Sequence, residues 1–157
     1  GAPFRGVLYC GIMLTADGPK VLEFNARFGD PEAQALLPLL EGDFLEALYD
    51  CAVGSLQPVK LRRRKGYAVC VVLCAAGYPG KPRKGDPIRG VEAIDDEQML
   101  VFHAGTAIGP AGLVTAGGRV LSLTGLGSTL ARARARAYEA AERIRFEGKH
   151  YRKDIGS

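Results

Sequence analysis

Tryptophan is absent from this sequence, and histidine and methionine occur only twice each. The two histidines, His103 and His150, lie far apart with no nearby group of Cys, Asp or Glu, which argues against a zinc site. His103 is read as a structural hydrogen-bonding residue at a strand end. Cysteine is sparse: Cys10, Cys51, Cys70 and Cys74, all in apolar surroundings. No C-x-x-C occurs, and no second close pair completes a metal site. On a strand over 67–76, Cys70 and Cys74 share a face about 13 Å apart. That is too far for a disulfide. All four are read as reduced, small core residues, which implies a reducing, cytoplasmic compartment. No secretory leader is recognisable and no apolar run approaches a membrane span, so no membrane partner is expected. There is no G-x-S-x-G elbow, which removes a Ser-His-Asp hydrolase. Internal repeats and low-complexity tracts are also missing.

What is present fits one domain or two small ones. Of 157 residues, 47% are hydrophobic and 24% charged, enough to bury a core. With 21 glycines and 9 prolines, many turns are expected. A net charge of +4 suits an anionic ligand. It falls short of a dedicated nucleic-acid binder, and no nucleic-acid partner is expected. Arg62-Arg63-Arg64-Lys65 is read as a solvated run. Binding of a polyanion by this run and the final helix is the alternative, weakened because no stacking aromatics interleave with it.

Residues 6–14, GVLYCGIML, read as a buried strand. Asp17-Gly18-Pro19 marks a turn, and 20–27 return to complete a hairpin. Pro31 is expected to open a helix capped by Asp30 and running to about Leu40. A second helix covers 44–53 and stops at Gly54. Residues 55–66 read as a linker. A buried strand over 67–76 follows, then short strands near 88–94, 100–104, 112–116 and 119–124. A helix over 128–146 closes the pattern, capped by Ser128 or Thr129, with Leu130, Ala133, Ala137, Ala140 and Ile144 as its apolar stripe. Gly125-Leu126-Gly127 ahead of that helix invites a dinucleotide loop, but Leu130 replaces the third glycine and no βαβ unit follows.

The stretch VLEFNARFGDPEAQ, 21–34, carries the chemistry. Strand side chains alternate, so Leu22, Phe24 and Ala26 form one face and Glu23, Asn25 and Arg27 the other, about 6.7 Å apart at each step. A carboxylate and an amide oxygen so placed can share a hard cation such as Mg²⁺. Arg27 could fork onto a phosphate oxygen. A strand whose outer face is simply polar has the same spacing.

VLEFNARFGDPEAQ resembles the metal-binding strand of the ATP-grasp ligases. With its FGDPE extension it resembles the glycinamide ribonucleotide synthetase family. GYPG at 77–80, KGD at 84–86, VFHAGT at 101–106, VTAGGRVLSLTGLG at 114–127 and FEGKHYRKDIG at 146–156 are similar to the same family's C-terminal domain, in order. The resemblance implies an α+β chain in two parts. Residues 1–58 would be the C-terminal part of an ATP-grasp domain, and 59–157 a small antiparallel sheet domain with one long helix. It implies ligation of glycine to 5-phosphoribosylamine with ATP as co-substrate. Glu23 and Asn25 would hold Mg²⁺ or Mn²⁺. Arg27 would neutralise charge on the transferred phosphoryl group. Arg27 and Asp30 would contact the nucleotide, and Glu32 a substrate, unless Asp30 and Glu32 only cap the helix. Many ATP-grasp enzymes carry a further acidic or Gln ligand one hairpin upstream. Cys10-Gly11-Ile12 offers none, so two protein ligands are expected. The N-terminal part of such an enzyme is expected as this chain's partner, the intact enzyme as a cytoplasmic monomer. Another ATP-grasp carboxylate–amine ligase is the alternative.

Overall fold

The computed structural model describes residues 1–57, 61–110 and 112–157. Its elements, in order, are β1 (Tyr9–Thr15), β2 (Gly18–Asn25), α1 (Glu32–Leu36), a 3-10 turn (Leu37–Leu39), β3 (Leu40–Glu41), α2 (Phe44–Val53), β4 (Arg62–Arg63), β5 (Tyr67–Cys74), β6 (Met99–His103), β7 (Thr106–Gly109), β8 (Gly112–Thr115), β9 (Arg119–Gly127) and α3 (Leu130–Arg143). The mixture is α+β, with every strand pair antiparallel. Two compact units form: Gly1–Ala33 with Leu40–Arg64, and Gln34–Leu39 with Lys65–Ser157. The boundary expected between residues 58 and 59 lies outside the described residues. Among the described residues no helix is long and apolar enough to cross a membrane.

In the first unit, β1 and β2 form the expected hairpin. Gly18 takes φ 96°, which L side chains rarely adopt. Thr15 Oγ1 donates to the Gly18 carbonyl at 2.7 Å. Tyr9 pairs with Asn25 and Gly11 with Glu23, after which Ile12 pairs with Val21. Leu22 is therefore an extra residue, a bulge. The expectation of a buried strand over 6–14 does not hold: Leu14 is 82% exposed. Nor is Leu22–Phe24 a packed face, since Leu22 is 65% and Phe24 61% exposed. The hairpin is a two-stranded sheet, and these side chains stay open among the described residues. Cys10, opposite Phe24, is exposed and Cys51 half-buried, so only Cys70 and Cys74 are core thiols. Burial pushes the Cys74 thiol up, against the lowering effect of Arg119.

The helix expected from Pro31 to Leu40 is only five residues long and ends in the 3-10 turn. Pro38 explains the break. It has no N–H for the Gln34 carbonyl and its ring crowds that carbonyl. The fully buried Thr124 hydroxyl donates to it instead, at 3.0 Å. The second helix runs as expected: Asp43 caps it through the Glu46 amide at 2.8 Å, and Gly54 closes it in the left-handed region. The presumed linker 55–66 contains β4, whose Arg62 and Arg63 pair with Glu41 and Leu40. The basic run is thus partly tied into a ladder, with both arginines exposed.

The second unit is a three-stranded sheet, β5-β9-β6, covered by α3. Leu73, Leu121, Leu123, Val120 and Ile144 are completely buried in its core. β7 and β8 form a separate hairpin, and β7 was not expected from sequence. No strand forms over 88–94. That stretch makes only single bridges, Arg89 to Arg145 and, just before it, Pro87 to Val114, because Pro87 cannot donate and Gly90 turns at φ 89°. The helix α3 is capped by Thr129, which accepts from the Arg132 amide. Its buried stripe is Ala133, Ala137, Ala140 and Ala141, while Leu130 is exposed. Arg136 reaches out of the helix to Asp96 and to the Leu126 carbonyl. The Gln98 amide, and then Arg136, hold the Asp96 carboxyl below its usual range.

Gly125-Leu126-Gly127 is not a ligand loop. It is the end of β9, and α3 lies directly on it. A Cβ at Gly125 would come 2.3 Å from the Ala133 carbonyl, and one at Gly127 2.6 Å from the Ala133 amide. Gly125→Ala is therefore expected to lower unfolding free energy by about 3 kcal/mol in urea melts, because the helix must move off the sheet. Ile108→Ser, at the open tip of β7, should change it by no more than about 0.5 kcal/mol.

Candidate functional site

The site is a patch of the first unit, built from β2 outward. Glu23 and Asn25 stand two residues apart on the strand, and Asn25 Nδ2 donates to Glu23 Oε1 at 2.9 Å. Alternation therefore brings together the two residues expected to share a cation. Gly11 lies across the ladder from Glu23. A Cβ there would sit 3.1 Å from Glu23 Cγ, so the glycine leaves the carboxylate its room. The residue opposite Glu23 on the upstream strand is Gly11.

Tyr9, opposite Asn25, joins the patch without any signal in the β2 sequence. Its hydroxyl donates to Glu32 Oε1 at 3.3 Å. Hairpin pairing would have found it, because residues directly opposite share a face. Gly29, buried, leaves space for Glu32: a Cβ there would lie 2.4 Å from Glu32 Oε2. The Tyr9 phenol is raised above its ordinary value, first by partial burial, then by the Glu32 carboxylate and its hydrogen bond, then by Glu23. Two carboxylates thus flank one phenol.

Arg27 is not a third member of the strand row. β2 ends at Asn25, and Arg27 falls in the bend beyond. Its Nη1 donates to the Phe28 carbonyl at 2.7 Å. Asp30 is exposed in the turn before Pro31, and the helix starts at Glu32 rather than Pro31, with the Ala33 amide donating to the Gly29 carbonyl. Five residues align too few peptide dipoles for α1 to serve as an anion-binding helix end.

The donors suit a hard cation. Glu23 offers carboxylate oxygens and Asn25 an amide oxygen, the ligand types such a cation takes, and the two side chains already meet. Among the described residues no cluster of three or more His, Cys, Asp or Glu assembles. A cation here would rest on one carboxylate and one amide, the remaining positions going to water and phosphate.

Residues 68–157 match the family described as phosphoribosylglycinamide synthetase, C domain. The chain belongs to the phosphoribosylglycinamide synthetase family. Residues 1–33, which hold Glu23, Asn25, Arg27, Asp30 and Glu32, match that family's ATP-grasp (A) domain. The phosphoribosylamine–glycine ligase of Caldanaerobacter subterraneus is 50% identical over all of this chain and 37% of its own length. That of Mycobacterium tuberculosis is 51% identical over 99% of this chain and 36% of its own. The crystal structure of the Thermotoga maritima ligase superposes with a TM-score of 0.77 at 44% identity, covering 94% of this chain and 36% of that one. The chain thus spans little more than a third of the length of the curated relatives it matches.

The local electrostatics give a direct test. In an ultraviolet phenol titration, the transition lost in Tyr9→Phe should lie above the ordinary tyrosine range. Glu32→Gln should move that transition back down. An unchanged transition in Glu32→Gln would separate the phenol from this carboxylate.

Proposed function

We propose that this chain is the C-terminal part of an ATP-dependent ligase that joins glycine to 5-phosphoribosylamine, giving glycinamide ribonucleotide, ADP and phosphate. The observation that carries the reading is the Glu23–Asn25 contact, inside the stretch that matches an ATP-grasp domain. Residues 1–58 are assigned to the ATP-grasp part and 59–157 to the C-terminal domain. We place the intact enzyme in the cytoplasm as a monomer, with no nucleic-acid partner.

On this reading Glu23 and Asn25 hold Mg²⁺ or Mn²⁺, which neutralises charge on the ATP phosphates. Arg27 swings from the Phe28 carbonyl toward the transferred phosphoryl group, where a guanidinium offers two parallel donors. Asp30, on the same exposed loop, contacts the nucleotide. The glycine carboxylate attacks the γ-phosphorus and ADP leaves. The phosphoribosylamine nitrogen then attacks the acyl carbon, phosphate leaves, and the nitrogen gives up a proton to the departing phosphate or solvent. The side chains perform no covalent step. They align the reactants and offset developing charge.

A chimera tests this reading. The portion of the Caldanaerobacter ligase preceding its matched segment is joined to residues 1–157. Phosphate release should require ATP, glycine and phosphoribosylamine together. Glu23→Gln should lower kcat about 100-fold or more. The chain by itself should show no turnover. A chimera without glycine-dependent turnover, or one indifferent to Glu23→Gln, would contradict the proposal.

A further inference from the structure

Thr124 is polar where packing alone asks for an apolar residue. It lies on β9, the middle strand of its sheet, and is completely buried. Leu121 and Leu123 pack with α3, so alternation turns Thr124 to the opposite face. Cys70 and Leu100 stand opposite it on the neighbouring strands. Valine would fill that space without burying a hydroxyl, which costs free energy unless the hydroxyl is hydrogen-bonded. The Thr124 hydroxyl has a partner: it donates to the Gln34 carbonyl, 90 residues away in the chain, at 3.0 Å. Pro38 cannot supply the helical amide that this carbonyl would otherwise meet.

The bond grips a short helix that begins in the candidate site. Gln34 follows Glu32 by two residues in α1, about 3 Å along the axis. Segment Gln34–Leu39 belongs to the second unit, although the residues on either side of it belong to the first. The 3-10 turn that continues α1 also packs against β5. Upstream, the Ala33 amide donates to the Gly29 carbonyl at 3.0 Å, and Tyr9 donates to Glu32. The stretch from Ala26 to Ala33 is therefore held at one end by the β1–β2 ladder and at the other by the Thr124 bond.

We propose that Thr124 is a positioning residue for the candidate site: its hydroxyl fixes α1, and through α1 the place of the Glu32 carboxylate beside Tyr9. Thr124 touches no reactant and acts through Gln34. The consequence for catalysis rests on the ligase reading above, whereas the placement of Glu32 does not.

Nuclear Overhauser spectra of the isotope-labelled 157-residue chain read the placement. The unaltered chain should show a cross-peak between the Tyr9 ring and the Glu32 side chain. Thr124→Val and Thr124→Ala, which lack the hydroxyl, should lose it while the amide signals of β5 and β9 stay dispersed. Thr124→Ser, which keeps the hydroxyl, should retain it. So should Ser122→Ala, a buried change on the same face of β9. In the active chimera Thr124→Val should lower kcat/KM for glycine about 10-fold, because small misplacements cost rate steeply, and Thr124→Ser should restore most of it. A cross-peak absent from the unaltered chain, or surviving in Thr124→Val and Thr124→Ala, overturns the proposal. So does one lost equally in Thr124→Ser or Ser122→Ala, which makes sheet packing rather than the hydroxyl the cause. An active chimera with unaltered kcat/KM in Thr124→Val also overturns it. An inactive chimera overturns the ligase reading and leaves the cross-peak to decide the role of Thr124.

Discussion

Side chains two residues apart on a strand face the same way, and the candidate site depends on that constraint at β2. It puts the Asn25 amide 2.9 Å from the Glu23 carboxylate. The bulge at Leu22 sits immediately before this pair and resets the ladder so that Glu23 faces Gly11. A one-residue slip would exchange Glu23 for a neighbour from the apolar face, Leu22 or Phe24. The glycines at 11 and 29 then have a common purpose. Each removes a Cβ where a carboxylate must stand, Glu23 in one case and Glu32 in the other. Tyr9 meets Glu32 and faces Asn25 through the ladder rather than through sequence proximity.

The second unit obeys a different constraint, the close approach of a helix backbone to a strand. Gly125 and Gly127 let α3 lie flat on β9, and an alanine-rich helix face fills the narrow space left. Large side chains from β5 and β9, with Ile88, Met99, Ile144 and Phe146, supply the remaining core. The same strand settles a problem created elsewhere: Pro38 frees the Gln34 carbonyl and Thr124 takes it up. Arg134 and Tyr138 bind the backbone of the last residues, tying the C-terminal tail to α3.

Much of this was legible in the sequence, for local reasons. Asp43 and Gly54 bounded α2, Thr129 started α3, and Asp17-Gly18 set the hairpin. Glu23 and Asn25 were readable because strand periodicity is strict. Arg27 was not, because β2 ends at Asn25, where it pairs with Tyr9, and the period no longer applies beyond it. Tyr9 was hidden because its place depends on cross-strand register. α1 is shorter than the apolar pattern over 31–40 suggests, because Pro38 stops it. Exposure of the hairpin face could not be read from the apolar run 6–14, because an apolar run says what a strand could bury and not whether a cover is present. The glycines at 125 and 127 lack the pattern of a dinucleotide loop and serve packing.

The central claim is that Glu23 and Asn25 together hold a divalent cation. Paramagnetic broadening tests it most directly. On titrating Mn²⁺ into the ¹⁵N-labelled chain, backbone amides of Gly11, Glu23 and Asn25 should broaden first, and Glu23→Gln should abolish the effect. Broadening centred elsewhere, or unchanged in Glu23→Gln, would contradict the account.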